Sequence, residues 1–143
     1  MKETRHLGVY AAVIENDSIL LVKKARGAYL GKLDLPGGSI EHGEKPEETL
    51  KRELKEETNC DIKDAKLIDA NSVVVNWLHH GENENMHHIG IIYKVSLLTH
   101  NIKEDADGLD SLGAIWYKIK DLNKEIISPL TLETLELLGY KIK

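Results

Sequence analysis

The segment from Gly37 to Cys60 constrains the fold of this chain more than any other stretch. From Pro46 to Thr58 it contains no glycine and no further proline, and most of its residues favour a helix. Proline at the first helical position, followed by two glutamates, suits the positive end of the helix dipole. The segment therefore predicts a helix over Pro46–Thr58 that begins shortly after a glycine pair.

Three carboxylates would share one face of this helix. Glu53, Glu56 and Glu57 fall within an arc of roughly 100° at helical spacing. Like charges so close together repel one another unless a cation lies among them. Carboxylate oxygens are the ligands that Mg²⁺ and Mn²⁺ prefer, so the patch is a candidate metal site. A solvated acidic helix face is the alternative interpretation.

The polar residues of the segment keep a fixed spacing. Gly38 is followed by five residues, Glu44, seven residues and the run RELKEE at residues 52–57. This spacing resembles the Nudix box, whose pattern ends in a glycine and an aliphatic residue. Asn59 and Cys60 stand at those two positions here. Asn is the usual substitute for glycine in the left-handed backbone region, and a buried Cys can fill an apolar position.

The resemblance implies an α+β fold in which a mixed β-sheet is sandwiched between helices, the α/β/α Nudix fold. It also implies that residues 1–143 form a single Nudix hydrolase domain. Hydrophobic periodicity by itself predicts no more than helices and strands within one domain. The metal site implied by the resemblance consists of Glu53, Glu56, Glu57 and the carbonyl oxygen of Gly38. Its expected ion is Mg²⁺, with Mn²⁺ as a substitute.

The same resemblance places Arg52, Glu53, Glu56 and Glu57 in the catalytic set. Glu53 is the first choice for the general base, because relatives use either a carboxylate of the box or one from a later loop. The acidic segment from Glu104 to Asp110 is the second choice, with a solvated loop as its alternative interpretation.

Two arginines have further expected roles. Arg52 and Glu44 should form an ion pair that ties the loop to the helix, so the role of Arg52 is interpreted as mainly structural. Arg26 follows the second predicted strand and precedes a loop that contains two glycines. We expect its guanidinium group to bind substrate phosphates, and a solvated sheet edge is the alternative.

Apolar runs predict the strands of the first half. Val9–Ile14 is apolar on both faces, as in a central strand. A turn signal at residues 16–18 leads into a second strand at Ile19–Val22. Leu33–Gly38 is predicted as one short strand that ends at the glycine pair.

In the second half, Ser72–Leu78 and Ile89–Leu97 are predicted as strands on either side of a polar loop at His79–Met86. The two histidine pairs at the ends of that loop should flank a hairpin rather than bind zinc, because the pattern of a closed zinc site does not accompany them. A further strand is expected at Leu112–Ile119, and Ser128 with the following proline marks the start of a C-terminal helix.

Composition favours a globular cytoplasmic protein over a membrane protein or a nucleic-acid-binding protein. The 143 residues are 41% hydrophobic and 30% charged, as in globular proteins. No apolar run approaches the roughly 20 residues that span a bilayer, and the N-terminus lacks a signal-peptide core, so no membrane association is expected. The net charge of −5 argues against nucleic-acid binding, and the single cysteine suits a reducing compartment.

We therefore expect a Mg²⁺-dependent hydrolase that cleaves a diphosphate bond in a nucleoside diphosphate linked to another group. The alternative is a non-catalytic nucleotide-sensing domain on the same fold. The family acts on nucleoside triphosphates, dinucleoside polyphosphates, nucleotide sugars, coenzymes or capped RNA, and the box does not choose among them. Tyr29, Trp77 and Trp116 are candidates for stacking on a base, or else core residues. The expected partner is a small nucleotide, and a homodimer is left open.

Overall fold

The computed structural model describes residues 1–102 and 111–143, so the predicted acidic segment from Glu104 to Asp110 lies outside the described residues. The strands are β1 (Lys2–Ala12), β2 (Ile14–Glu15), β3 (Ser18–Lys24), β4 (Leu33–Asp34), β5 (Gly37–Ser39), β6 (Ile62–His79), β7 (Glu82–Leu97) and β8 (Ser111–Lys118). The helices are α1 (Pro46–Thr58) and α2 (Pro129–Leu137), with a 3-10 turn at Ile119–Asp121. No helix in these two ranges is long and apolar enough to cross a membrane.

The strands form two sheets. The first has the order β5-β1-β7-β6, in which β1 pairs in parallel with β7 and the other neighbours are antiparallel. In the second sheet β3 pairs in antiparallel fashion with β2, β4 and β8. The predicted α+β class with a mixed sheet is confirmed, although the strands divide over two sheets rather than one.

The central strand β1 contributes side chains to two apolar cores. Val9 belongs to a core that includes Leu54 of α1, whereas its neighbour Tyr10 belongs to a core that includes Leu130 of α2. These residues are buried on both sides of the sheet. The predicted central strand is therefore confirmed, and it begins earlier than predicted, at Lys2.

The prediction of a single strand over Leu33–Gly38 is wrong, because Pro36 divides it. β4 ends at Asp34 in the second sheet, and β5 begins at Gly37 in the first. Proline has no N–H to donate to a ladder, and its carbonyl oxygen here accepts from the backbone N–H of Ala11 at 2.9 Å. The break carries the chain from one sheet to the other just before the glycine pair.

The prediction of a polar loop over His79–Met86 is also wrong. The chain reverses at His80 and Gly81, whose φ angles are both positive, at 51° and 80°. Such a two-residue turn keeps the flanking strands paired, so β6 and β7 continue up to it. Polar side chains pair across the strands, as where Asn85 Nδ2 donates to Asn76 Oδ1 at 2.8 Å. Their polarity resembles that of a loop, which is why periodicity did not reveal the strands.

Helix α1 begins and ends at the predicted residues. Its N-cap is Lys45, whose side chain makes no capping hydrogen bond among the described residues, while its backbone N–H donates to Glu48 Oε1 at 3.0 Å. Asn59 follows the helix in the left-handed region, with φ of 64°, and its N–H donates to the carbonyl oxygen of Lys55. Ser128 is the N-cap of α2, as predicted.

We predict that Lys45→Ser or Lys45→Thr raises the free energy of unfolding by about 0.5–1 kcal/mol. A hydroxyl oxygen can accept an N–H of the first helical turn, which a lysine side chain cannot. The existing bond from the backbone of residue 45 to Glu48 would be kept in both variants. Thermal melting compares the variants with wild type, and midpoints at or below the wild-type value would contradict the prediction.

Asn59→Gly should leave stability nearly unchanged, because glycine adopts the left-handed conformation without steric cost. It loses the exposed hydrogen bond from Asn59 Nδ2 to the carbonyl oxygen of Asn101, at 3.2 Å. Asn59→Val should lower the free energy of unfolding by about 1 kcal/mol or more, because a β-branched residue is strained at positive φ. Urea denaturation of both variants measures the difference, and equal stability would argue against this assignment of the helix end.

Candidate active site

Arg52 of α1 joins three parts of the box segment. Its Nε and Nη2 donate to the two carboxylate oxygens of Glu44 at 2.8 and 2.9 Å, a bidentate pair. Nη2 also donates to the carbonyl oxygen of Ser39, the last residue of β5, at 3.1 Å. The predicted ion pair between loop and helix is therefore present, and it also reaches the sheet.

Glu44 accepts hydrogen bonds from the loop and from the helix. Its Oε1 accepts from the backbone N–H of Glu41 and from the hydroxyl group of Thr49, both at 2.9 Å. The hydrogen bonds from Arg52 first, and then the one from the backbone, lower the pKa of Glu44 to about 2. Glu44 is therefore ionised at neutral pH.

The three glutamates of the patch differ in exposure. Glu57 is 2% exposed, and its Oε1 accepts from the backbone N–H of Gly37 at 2.7 Å. Glu53 Oε1 accepts from Arg52 Nη1 at 2.9 Å. The side chain of Glu56 is 51% exposed, with Oε2 3.5 Å from the same Nη1. The guanidinium group of Arg52 is therefore the cation that lies next to two of these carboxylates, Glu53 and Glu56.

The glycine pair allows the backbone of β5 to approach both β1 and α1. A Cβ at Gly38 would lie 2.7 Å from Glu53 Cδ, so any other residue there would displace the Glu53 carboxylate. Gly37 has φ of 148°, and a Cβ there would overlap the carbonyl oxygen of Val9. Glycine is therefore required at Gly37, and at Gly38 it allows the backbone to lie against the Glu53 carboxylate.

The donors of this patch suit a hard divalent cation. Three carboxylates and the carbonyl oxygen of Gly38 are the kind of oxygen ligands that Mg²⁺ and Mn²⁺ prefer. Within residues 1–102 and 111–143, no three acidic, histidine or cysteine side chains already converge as a metal cluster. Arg52 contacts Glu53 and Glu56, so binding of an ion would require these side chains to turn away from it.

A cavity of about 300 Å³ opens beside Gly38 and Glu53. Lys24 and Arg26, at and just beyond the end of β3, also line it. The predicted phosphate ligand Arg26 therefore shares a cavity with two residues of the box. Other residues of its wall are Tyr10, Tyr29, Asp34, Trp77, Met86 and His88.

His88 of β7 lies between two tyrosines in this wall. Tyr10 Oη is 2.6 Å from its Nε2, and Tyr29 Oη is 2.7 Å from its Nδ1. All three residues are buried, and the ring of His6 stacks on His88 with centroids 4.8 Å apart. Burial first, and then the charges of His6 and Lys24, lower the pKa of His88 to about 3, so its imidazole is neutral at neutral pH.

Asp34, the last residue of β4, is a buried carboxylate in the same wall. Its Oδ1 accepts from the backbone N–H of Leu35 at 2.9 Å and from the hydroxyl groups of Ser128 and Thr131 at 2.6 and 3.1 Å. Burial raises the pKa of Asp34, and the Ser128 hydrogen bond and the charge of Lys24 oppose that shift. Asp34 thus ties the start of α2 to the cavity.

The sequence profile of the NUDIX domain matches residues 4–138. The chain belongs to the Nudix family. The match extends far beyond residues 38–60, on which the resemblance was based, and covers the cavity wall and most of both cores. The predicted membership among the Nudix hydrolases is confirmed.

Curated relatives of this Nudix protein carry hydrolase names. A protein of Caenorhabditis elegans named as a nudix hydrolase is 31% identical over 80% of this chain and 29% of its own length. The nucleoside triphosphatase NudI of Escherichia coli is 28% identical over 94% of this chain and 98% of its own. The 8-oxo-dGTP diphosphatase of Escherichia coli is 48% identical over 30% of this chain and 34% of its own. The chain thus spans about a third of the length of two of these relatives.

Solved structures of Nudix proteins share the fold. A MutT NUDIX hydrolase from Burkholderia pseudomallei gives a TM-score of 0.73 at 24% identity, over 94% of this chain and 98% of that one. A MutT protein from Bacillus halodurans gives 0.72 at 22% identity, over 96% and 84% of the two chains. At such identities the likeness confirms the α+β Nudix fold and carries no argument about substrate.

The Nudix fold brings part of the predicted site together at the cavity. Gly38, Glu53 and Arg26 line it, whereas Glu57 is buried against the backbone of β5 and Glu56 is half exposed to solvent. Of the three aromatic candidates, Tyr29 and Trp77 line the cavity, while Trp116 packs against the core next to α1.

Sequence reasoning missed Tyr10, Asp34 and His88 as residues of the cavity wall. Tyr10 lies within an apolar run and Asp34 within a short apolar strand, so each looked like ordinary strand sequence. His88 did carry a signal, because its period-2 register places it on the same buried face of β7 as Met86 and Ile92. A histidine at an inward-facing strand position needs polar partners, and such partners mark a candidate site.

The lowered pKa of Glu44 predicts a loss of stability in acid. Its folded-state pKa of about 2 lies below the ordinary value of 4.5, so its stabilisation is complete above about pH 4.5 and disappears as the pH falls toward 2. Glu44→Gln should therefore melt below wild type at neutral pH, and the gap should close across this window. Melting midpoints measured from pH 7 downward test this, and a gap independent of pH would contradict it.

Proposed function

We propose that residues 1–143 form one Nudix domain that hydrolyses a diphosphate bond in a nucleoside diphosphate linked to another group, with Mg²⁺ as cofactor and Mn²⁺ as a substitute. The observation that carries this proposal is the cavity that holds Gly38 and Glu53 of the box together with Lys24 and Arg26. Cleavage of a diphosphate needs charge neutralisation on the phosphates and a water aimed in line. Groups suited to both tasks line this one cavity.

Glu53, Glu56, Glu57 and the carbonyl oxygen of Gly38 would hold Mg²⁺. Bound there, the ion supplies charge neutralisation on the phosphates and lowers the pKa of a coordinated water. The hydrogen bond from Arg52 to Glu53 and the 3.5 Å approach of Arg52 to Glu56 offset the repulsion among these carboxylates beforehand.

The remaining roles follow from position. Glu53 is the proposed general base, because it lines the cavity and its carboxylate lies against the Gly38 backbone. Arg26 is exposed at the cavity and would bind phosphate oxygens through its guanidinium fork. Glu57 holds the backbone N–H of Gly37, which positions the glycine pair that the substrate would approach.

The names of two relatives favour a nucleotide as the substrate. One is a nucleoside triphosphatase that aligns over 98% of its length, and the other is an 8-oxo-dGTP diphosphatase that aligns over 34% of its length. Their identities of 28% and 48% over these spans support the reaction class rather than one particular base.

A substrate panel tests the proposal. Nucleoside triphosphates, a dinucleoside polyphosphate and nucleotide sugars would be assayed for release of phosphate or pyrophosphate, with Mg²⁺ and with a chelator. We expect release from at least one class, and its loss in the chelator. Nucleotide binding without release from any class would overturn the proposal in favour of a non-catalytic nucleotide-sensing domain.

Glu56→Gln and Glu57→Gln each remove a charge with almost no change of shape. We predict that each variant is as stable as wild type without metal, or slightly more stable, because repulsion on the helix face is reduced. Each should lose most of the rise in melting temperature that Mg²⁺ produces by binding to the folded state. Turnover should fall at least about a hundredfold, which corresponds to about 2.7 kcal/mol in the barrier.

Glu44→Gln is the matched control for these two variants. Because Glu44 holds Arg52 and Thr49 rather than facing the cavity, its loss should lower stability while the Mg²⁺-induced shift is kept. Melting with and without Mg²⁺, beside hydrolysis rates, distinguishes the three variants. Full activity and a full Mg²⁺ shift in Glu57→Gln would show that this carboxylate does not hold the metal, and the proposed metal site would be wrong.

A further inference from the structure

The buried chain of Tyr10, His88 and Tyr29 has no part in the hydrolysis proposed above. All three residues line the cavity that also contains Gly38 and Glu53. A tyrosine hydroxyl lies at each ring nitrogen of His88, at 2.6 and 2.7 Å. Burying three polar side chains in contact is costly unless every hydrogen bond is made, so their arrangement calls for a functional account.

Tyr10 is held in place by glycines on three strands. Gly8 and Gly90 are register partners on β1 and β7, and Gly37 of β5 lies opposite Tyr10 itself. A Cβ at Gly8 would overlap Tyr10 Oη, and one at Gly37 would lie 2.7 Å from Tyr10 Cδ1. A Cβ at Gly90 would lie 3.3 Å from Tyr10 Cδ2. The three glycines thus leave room in the sheet for the ring of Tyr10 and hold its hydroxyl group against His88.

The neutral ring of His88 can donate at one nitrogen and accept at the other. With a hydroxyl group at each nitrogen, one tyrosine must therefore donate to the ring while the other accepts from it. The tyrosine that accepts a hydrogen bond from the ring can donate its own hydroxyl proton to a different partner. Moving the ring proton from one nitrogen to the other exchanges the two roles, and every bond within the chain is kept.

These two arrangements give Tyr29 opposite polarities toward the cavity. With the proton on Nδ1 of His88, Tyr29 accepts from the ring and can donate its hydroxyl proton to a ligand. With the proton on Nε2, Tyr29 donates to the ring, and its oxygen can then accept from a ligand. Tyr10 makes the compensating change at the other nitrogen, and the hydroxyl proton that it then keeps must be donated into the cavity, which Tyr10 also lines.

We propose that this chain is a nucleobase subsite whose hydrogen-bond polarity adapts to the base, so that Tyr29 donates to an oxo group or accepts from an amino group at the same position. The proposal rests on the proposed function, and it gives the substrate class as nucleotides with either an oxo or an amino base. Enzymes with a fixed donor or acceptor at this place would reject one of the two by a large factor, because a buried group would be left unpaired.

The surroundings of the chain suit a base better than phosphate. Aromatic rings of Tyr29 and Trp77 line this cavity and offer faces on which a planar base can stack. The indole N–H of Trp77 is buried and has no hydrogen-bond partner among the described residues. A ligand oxygen bound in the cavity would satisfy it. The exposed cation Arg26 is left for the phosphates.

Matched pairs of nucleotides that differ at one exocyclic group test the proposal. We expect wild type to hydrolyse UTP and CTP, and likewise ITP and ATP, with kcat/KM values that differ by less than about threefold within each pair. A difference of tenfold or more within both pairs would overturn the adaptive subsite. Absence of hydrolysis of all four would instead count against the proposed function.

Tyr10→Phe should change the similar kcat/KM values for oxo and amino bases into a preference for oxo bases. Without the Tyr10 hydroxyl, a proton on Nε2 of His88 would be a buried N–H with no acceptor, which proteins rarely tolerate. The Nδ1 tautomer would then dominate and leave Tyr29 as a donor, so the oxo base should be favoured at least tenfold in each pair. Unchanged ratios in a folded variant would overturn the proposal.

Two further variants separate the subsite from general effects. Tyr29→Phe removes the contact itself and should lower kcat/KM for all four nucleotides by a similar factor. Tyr140→Phe is the matched control, since Tyr140 packs against the core next to α2, away from the cavity wall. It should leave both the rates and the ratios at wild-type values.

Histidine ¹⁵N NMR of the wild-type protein decides the question without any substitution. The non-hydrolysable probes are UMP and CMP in the absence of metal. Bound UMP should place the proton of His88 on Nδ1, and bound CMP should place it on Nε2. The same tautomer in both complexes would overturn the proposal, whatever the outcome of the hydrolysis assays.

Discussion

The geometry of the site depends on the interactions of one guanidinium group. Arg52 binds Glu44 in a bidentate pair, the carbonyl oxygen of Ser39 and the carboxylate of Glu53, so loop, sheet and helix are fixed by one side chain. Its side chain is 24% exposed, which leaves the pairs partly shielded from solvent screening. Without Arg52, the carboxylates of Glu44, Glu53 and Glu56 would lose the cation that all three contact.

The second constraint is a strand that is buried on both faces. β1 contributes Val9 to one core and Tyr10 to the other, so a shift by one residue would exchange the two sets. The same register sets Tyr10 opposite Gly37 and Gly8 beside Gly90. Packing of the two cores therefore positions the buried tyrosine and the glycine pair of the box.

Local signals predicted some elements well and others poorly. The bounds of α1 followed from proline, helix propensity and the left-handed position of Asn59, all of which act within a few residues. The hairpin at His80 and Gly81 was missed because its polar strands are stabilised by cross-strand partners distant in sequence. The division at Pro36 required knowledge of which sheet each half would join. The pairing of Tyr10 with His88 depends on parallel register between distant strands, and no local pattern encodes it.

Asp34 links the cavity to helix α2, although α2 itself does not line the cavity. Its buried carboxylate accepts hydrogen bonds from Ser128 and Thr131, which begin α2, while the same side chain belongs to the cavity wall. Opening of the first turn of α2 breaks these hydrogen bonds, so we expect it to be coupled to disorder of the cavity wall. Whatever binds in the cavity must oppose that event, and slower exchange of the α2 amide hydrogens would record its occupancy.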